Sequence, residues 1–266
     1  MSRSRFLALV ISLLPFTGQT QEELVIYTEH FPPYNFQINN KIQGINIDLI
    51  KSACKNADID CDFELYPWQR AYKKSLKTEN AGLVSTAYTE ERESLFQWVG
   101  PLVSGASCFY KLKARHDIVI NEKNDLLNYS IGLPWSDVYE EILKNWGFEK
   151  GTNYVTFSEK YAYANAFKSD KLDLFIASNV TLPRHLSKLN LSFEDVEPVY
   201  LLEDPDLGGN YLALNNNVDQ HTVDKLQQEV EKLMSSSTPD DLQEHYIRSR
   251  LSDPNNRSDI ARQCRI

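Results

Sequence analysis

An α/β fold is predicted, with two units of mainly parallel sheet covered by helices. Three observations point to it. Strand-like and helix-like patterns alternate as β-α-β-α-β from residue 23 to residue 87, and strands joined through helices pair in parallel. The same order starts again at residue 129. The apolar run LDLFIAS, Leu172 to Ser178, reads as a strand buried on both faces, as parallel strands are.

Each element of the first unit rests on its own residues. ELVIYT, Glu23 to Thr28, reads as a buried strand. A loop with Pro32 and Pro33 follows, and Asn39 and Asn40 mark a hairpin turn, because asparagine tolerates turn backbone. From Ile45 onward, Leu49, Ile50, Ala53, Cys54 and Ala57 recur at helical spacing. DCDFELY, Asp60 to Tyr66, alternates like a strand. Pro67 opens the next helix, where its missing N–H costs nothing. Trp68, Ala71, Tyr72 and Leu76 share one face of that helix, with Arg70, Lys73 and Lys77 elsewhere. GLVSTA, Gly82 to Ala87, is a short strand.

In the second unit, YSIGL, Tyr129 to Leu133, is a strand. Ser136 can cap the helix that follows, whose Val138, Tyr139, Ile142, Leu143 and Trp146 form one apolar face. NYVTF is the next strand, and Tyr163, Ala166 and Phe167 mark another helix. Two helices close the pattern. Val223, Leu226, Val230 and Leu233 define the first, and Thr238, Pro239, Asp240 and Asp241 start the second.

Composition narrows the function. Of 266 residues, 42% are hydrophobic and 24% charged, which is globular. The formal net charge of -9 repels phosphates and argues against nucleic acid as a partner. The start MSRSR, the apolar run FLALVISLLPF and the tail TGQTQ describe a secretory signal peptide over residues 1–20. Cleavage after Thr20 leaves a mature chain that begins near Gln21 and a soluble protein in the bacterial periplasm.

Four cysteines, Cys54, Cys61, Cys108 and Cys264, agree with export and suggest two disulfides. They allow three pairings, and spacing alone does not choose among them. A Cys54–Cys61 bridge would pin a helix end to the next strand, and Cys108 would then pair with Cys264 across a long loop. Zinc is not expected, since no C-x2-C occurs and His30, His116, His185, His221 and His245 are scattered. Asp58, Asp60 and Asp62 mimic the start of a calcium loop but lack its glycine. No metal, cofactor or nucleophile–base pair is expected.

Aromatic residues carry more information. Phe31 and Tyr34 follow the first strand, and Trp68 stands just past another strand end. Strand-to-helix turns line the ligand crevice of open α/β sheets. Each of these rings also fits core packing. Arg92, in TEERESLFQWVGP, follows a third strand end. Alone it reads as a solvated arginine, but its neighbours make it a ligand candidate.

In order and spacing, the first strand with its PPY loop, the GINIDLIKSA helix entry, Cys54-x6-Cys61, TEER and WVGP resemble the bacterial extracellular solute-binding proteins of family 3. These are the periplasmic components of polar amino-acid ABC transporters. The cysteine spacing resembles that of basic-amino-acid binders, and PWQRA is similar to a divergent subgroup. The resemblance spans nearly the whole mature chain. It implies a periplasmic-binding-protein-like fold with two α/β lobes joined by two hinge strands and a cleft between them. Lobe one would hold residues 21–107 and 202–266, and lobe two residues 108–201. The chain would cross near Gly105 and near Tyr200.

By the same resemblance, Arg92 matches the arginine that holds a ligand carboxylate. Phe31 matches the stacking aromatic and Trp68 an apolar wall, with Arg70 in the same PWQRA segment. Donors come from the strand before the arginine, near Ser85 and Ala87, and from the second-lobe helix start, Ser136 and Asp137. The family's acid for a ligand ammonium aligns at Ser178, where no acid stands. Either Glu29 or Asp137 replaces it, or the ligand is not an ordinary α-amino acid. The implied role is a monomeric receptor that is not an enzyme and delivers a small polar, carboxylate-bearing solute to an ABC permease. Rivals are an enzyme resembling cyclohexadienyl dehydratases, with Glu29 or Asp137 as its acid, and a stand-alone ligand sensor.

Overall fold

A computed structural model describes residues 23–204 and 207–247. The expected leader and its cleavage point, and Cys264 with its expected bond to Cys108, lie outside the described residues.

The strands form two five-stranded sheets and a small hairpin. The first sheet contains β1 (Glu23–Thr28), β4 (Asp60–Leu65), β5 (Ala81–Ala87), β6 (Phe96–Leu102) and β12 (Asn210–Asn215), in the order β4-β1-β5-β12-β6. The β1 strand pairs in parallel with β4 and β5, as the alternating pattern requires. The β12 strand runs antiparallel between β5 and β6. Helix α1 (Ile45–Ala57) buries Leu49, Ile50, Ala53 and Cys54. These pack with Leu24 and Ile26 of β1, Val84 of β5, and Leu226 and Val230 of α7 (Gln220–Met234). Helix α8 (Thr238–Ile247) adds Tyr246 to the same core.

The turn signals resolve as local geometry. Asn39 and Asn40 have φ of 48° and 60° and join β2 (Phe36–Ile38) to β3 (Lys41–Gln43). Gly44 precedes α1 with φ 136°, and a Cβ there would run into the Tyr34 carbonyl. Glycine is therefore required where the hairpin enters the helix. Helix α2 (Trp68–Lys77) begins one residue later than predicted, with Pro67 as its N-cap. Its buried line is Ala71 and Ser75, so Leu76 is only half-buried. The helix is tied to β12 at Ser75 by a hydrogen bond from Asn215 Nδ2 to the Ser75 carbonyl at 2.9 Å.

The second sheet contains β7 (Ser107–Leu112), β8 (Ile131–Pro134), β9 (Tyr154–Phe157), β10 (Leu174–Ser178) and β11 (Val196–Leu202), in the order β11-β7-β10-β8-β9. The β8 strand is parallel to β9 and β10, while β7 is antiparallel to β10 and β11. All five residues of β10 are buried, as its apolar run predicts. Helices α4 (Val138–Asn145), α5 (Ala164–Lys168) and α6 (Leu182–Leu189) cover this sheet. Asp137 caps α4, its carboxylate accepting from the Tyr139 N–H at 3.3 Å. Ser136 is not the cap; its φ of 56° turns the chain just before it.

The chain leaves the first sheet between β6 and β7 and returns between β11 and β12. Both sheets are consequently mixed rather than mainly parallel. The strands at the two crossings enter antiparallel, and they carry no helical pattern between them that would have flagged them.

Candidate functional site

A cleft with a cavity volume of about 80 Å³ lies between the sheets. Its lining comes chiefly from the ends of parallel strands, where an α/β sheet leaves an open crevice. Glu29 and Phe31 follow β1. Ser85 and Ala87 end β5, and Arg92 lies in the short helix α3 (Glu90–Glu93) just beyond. Trp68 opens α2 after β4, Asp137 caps α4 after β8, and Ser178 ends β10. Eight of the ten sequence candidates thus share one cavity.

The other two do not line it. Arg70 is exposed and lies over the Tyr66 ring at 4.4 Å. Two residues along a helix turn the side chain about 200° from Trp68, which carries Arg70 away from the cleft. Ser136 instead ties the lobes together. Its carbonyl accepts from Trp68 Nε1 at 3.0 Å, and its hydroxyl accepts from Gln69 Nε2 at 2.5 Å.

Arg92 is 5% exposed. Its guanidinium lies 5.7 Å from the Trp68 ring and 5.8 Å from the Tyr72 ring. It pairs with Glu141 through Nη2, and Nη1 reaches the Ala87 carbonyl at 3.5 Å. Glu141 borders a neighbouring outer cavity and does not line the cleft, whereas Arg92 borders both. A guanidinium has five N–H groups, so Arg92 keeps donors beyond those that meet Glu141 and the Ala87 carbonyl. Burial pushes the Glu141 carboxyl up, and Arg92 acts against that shift.

At the opposite end, Lys160 Nζ lies 2.8 Å from Glu29 Oε1 and 3.5 Å from Asp137 Oδ2. It also sits 3.4 Å from the Phe31 ring centre. Burial acts to lower the Lys160 ammonium, but Glu29 and Asp137 outweigh it and hold the group above the usual lysine range. Between the charged ends the lining carries no charged side chain and mixes hydroxyl and amide groups with Ala87, Val138 and Leu207. Ser85 accepts from Asn46 Nδ2 at 3.0 Å, and the Ser107 and Tyr139 hydroxyls lie 2.8 Å apart. Ser178 is held by Thr181 at 3.0 Å. Burial raises the Tyr34 and Tyr139 hydroxyls, keeping both neutral.

Sequence reasoning missed Lys160, Tyr139, Ser107 and Asn210 as cleft residues. Lys160 follows β9, so the strand-end rule used for Trp68 and Arg92 also points to it. Tyr139 belongs to the apolar face of α4 by spacing, and helical periodicity gives no sign of where its hydroxyl end lies. Ser107 and Asn210 begin crossing strands that no periodicity marks.

The remaining candidate chemistry is structural. Cys54 and Cys61 form a disulfide between the last turn of α1 and β4. Asp60 and Asp62 lie in β4, as their alternation indicates. No cluster of three or more His, Cys, Asp or Glu suited to a metal occurs among the described residues. No helix among them is long and apolar enough to cross a membrane.

Comparison with known proteins gives a consistent picture. A family profile for bacterial extracellular solute-binding proteins, family 3, matches residues 24–249. An ancestral arginine-binding protein bound to arginine is 18% identical, with a TM-score of 0.67 over 85% of this chain and 98% of that one. The arginine-, lysine-, histidine-binding protein ArtJ from the thermophilic bacterium Geobacillus stearothermophilus is 16% identical, with a TM-score of 0.68 over 91% of this chain and 100% of that one. A histidine kinase sensor domain with similarity to periplasmic binding proteins is 15% identical, with a TM-score of 0.72 over 85% of this chain and 96% of that one. At these identities the likeness is one of fold.

Proposed function

Since the chain belongs to the bacterial extracellular solute-binding proteins of family 3, we propose that it captures a small carboxylate-bearing solute between its lobes. In this reading it is a monomeric periplasmic receptor that passes the solute to an ABC permease in the inner membrane. In the same reading, residues 21–107 and 202–266 form one lobe and residues 108–201 the other, so that the boundaries fall at the first residue of β7 and the last residue of β11.

The observation that carries the reading is Arg92. It is a nearly buried guanidinium at a cleft edge, backed by Trp68 and Tyr72 and steadied by Glu141. A guanidinium fork matches the two oxygens of a carboxylate, and water excluded on closure strengthens the pair. Ser85, Ser178 and Asn210 line the space beside it and offer partners for the polar remainder of a ligand.

Binding suits the cleft better than proton transfer. An enzyme here would need a cleft acid free to exchange protons, and both acids of the cleft lining, Glu29 and Asp137, are paired with Lys160. A thermal-shift panel of amino acids, amines and small organic acids tests the proposal. A ligand at 100 times its dissociation constant adds about 2.7 kcal/mol of stability. If every carboxylate leaves the melting curve unmoved, the proposal fails.

A further inference from the structure

The cleft already contains an ammonium group. Lys160 reaches Glu29 Oε1 at 2.8 Å and Asp137 Oδ2 at 3.5 Å, and lies over the Phe31 ring at 3.4 Å. A cationic ligand would use these same three groups, since carboxylates attract it electrostatically and an aromatic face binds cations. All three are occupied at once by one side chain of the protein. The three partners are well enclosed, with side-chain exposures of 14% for Lys160, 15% for Glu29 and 13% for Asp137. Asp137 is further committed, because its other oxygen caps α4 through the Tyr139 N–H.

The consequence is electrostatic and steric. A ligand ammonium or guanidinium entering this end meets a like charge in a closed space, where such juxtaposition is costly. It also meets an aromatic face already covered. At the Arg92 end the cleft lining holds no carboxylate, because Glu141, which pairs with Arg92 through Nη2, borders the neighbouring cavity and not this one.

We propose that Lys160 is a specificity-determining residue that fills the cation subsite, so that the cleft selects small carboxylic acids without a basic group over cationic amino acids. This rests on the proposed capture of a carboxylate by Arg92 and adds the class of molecule that carries it. A hydroxyl or carbonyl oxygen on the ligand would meet the hydroxyl and amide side chains of Ser85, Ser104 and Asn210.

Calorimetric titration tests this with L-arginine and L-lysine on one side and L-malate, 2-oxoglutarate and glutarate on the other. The wild-type chain is expected to bind at least one of these acids ten times or more tighter than either basic amino acid. Lys160→Met frees Glu29, Asp137 and the Phe31 face, and should strengthen arginine or lysine binding at least tenfold. Lys160→Gln retains polar contacts to the acids and serves as the second variant should Lys160→Met fold poorly. Wild-type binding of arginine or lysine as tight as that of the acids would overturn the assignment and leave carboxylate capture standing. So would an unchanged preference in a folded Lys160 variant. Binding of none of the five compounds to the wild type would overturn both readings together.

Discussion

Trp68 Nε1 donates a hydrogen bond to the Ser136 carbonyl at 3.0 Å, joining the start of α2 on one sheet to the turn before α4 on the other. The same indole stands beside Arg92 and lines the cleft. It therefore couples lobe closure to the wall of the proposed site.

Trp68→Phe keeps a smaller aromatic wall and removes that bond. A hydrogen bond of this kind contributes about 1 kcal/mol, so ligand affinity should fall roughly fivefold. The unliganded melting temperature should move little, since Trp68 is only half-buried. Calorimetry together with a thermal melt checks both parts. A variant that unfolds yet retains full affinity would make Trp68 a core residue.

The Cys54–Cys61 bond spans a sequence separation of 7. Closing so short a loop removes modest entropy from the unfolded chain, about 2 to 3 kcal/mol. The Cys54→Ala/Cys61→Ala double variant should lose about that much in urea unfolding while keeping its ligand affinity, because neither residue lines the cleft. Unchanged stability would mean that the α1–β4 junction is held by packing alone.

His185 gives the protein a defined acid sensitivity. It is 6% exposed, lies among Tyr161, Tyr163 and Phe175, and shares a hydrogen bond with the Tyr163 hydroxyl. Burial pushes its imidazole down to about 3, with the Lys160 charge adding to the shift. In the unfolded chain a histidine titrates near 6.5. The unfolded state therefore takes up the proton first. The stability this residue supports is fully present above about pH 6.5 and declines as pH falls toward 3. By pH 5 the loss is roughly 2 kcal/mol. His185→Gln should flatten the stability profile between pH 6.5 and 4, measured by denaturant unfolding at each pH. An equally steep profile in the variant would assign the acid limb to other groups.

How much of this was legible beforehand follows from the physics of each signal. The β1 strand, α1 and α7 announce themselves through periodicity, because each buries one regular face against a common core. Strand ends then located Phe31, Trp68 and Arg92, since crossover helices leave the carboxyl ends of parallel strands open, whereas Asp137 came from the family resemblance. The crossing strands were not legible. The β7 strand is buried along five of its six residues with no alternation, and its pairing partners are remote in sequence. Lys160 carries no local mark of burial. Its place after β9 marks it as a strand-end residue, but the pairing with Glu29 depends on a contact between the two sheets' strand ends. The outer partner of Arg92 was hidden for the same reason. Glu141 looks like a solvated helix residue until α4 is set against α3.

The central claim is that Arg92 holds a ligand carboxylate, and calorimetric titration of wild type and Arg92→Ala with one carboxylate ligand and its amide analogue tests it most directly. Removing one partner of a buried charge pair costs roughly 2 to 5 kcal/mol, so Arg92→Ala should bind the acid about 30-fold to several thousand-fold more weakly. Arg92→Lys should recover only part of that, because an ammonium does not reproduce the fork. Arg92→Ala also leaves Glu141 without its partner, so the melting temperature of each variant is read first and affinities are compared only on folded protein. The account predicts that wild type rejects the amide and that Arg92→Ala no longer distinguishes amide from acid. Acid binding by folded Arg92→Ala within threefold of wild type, or wild-type binding of the amide as tight as the acid, would contradict it.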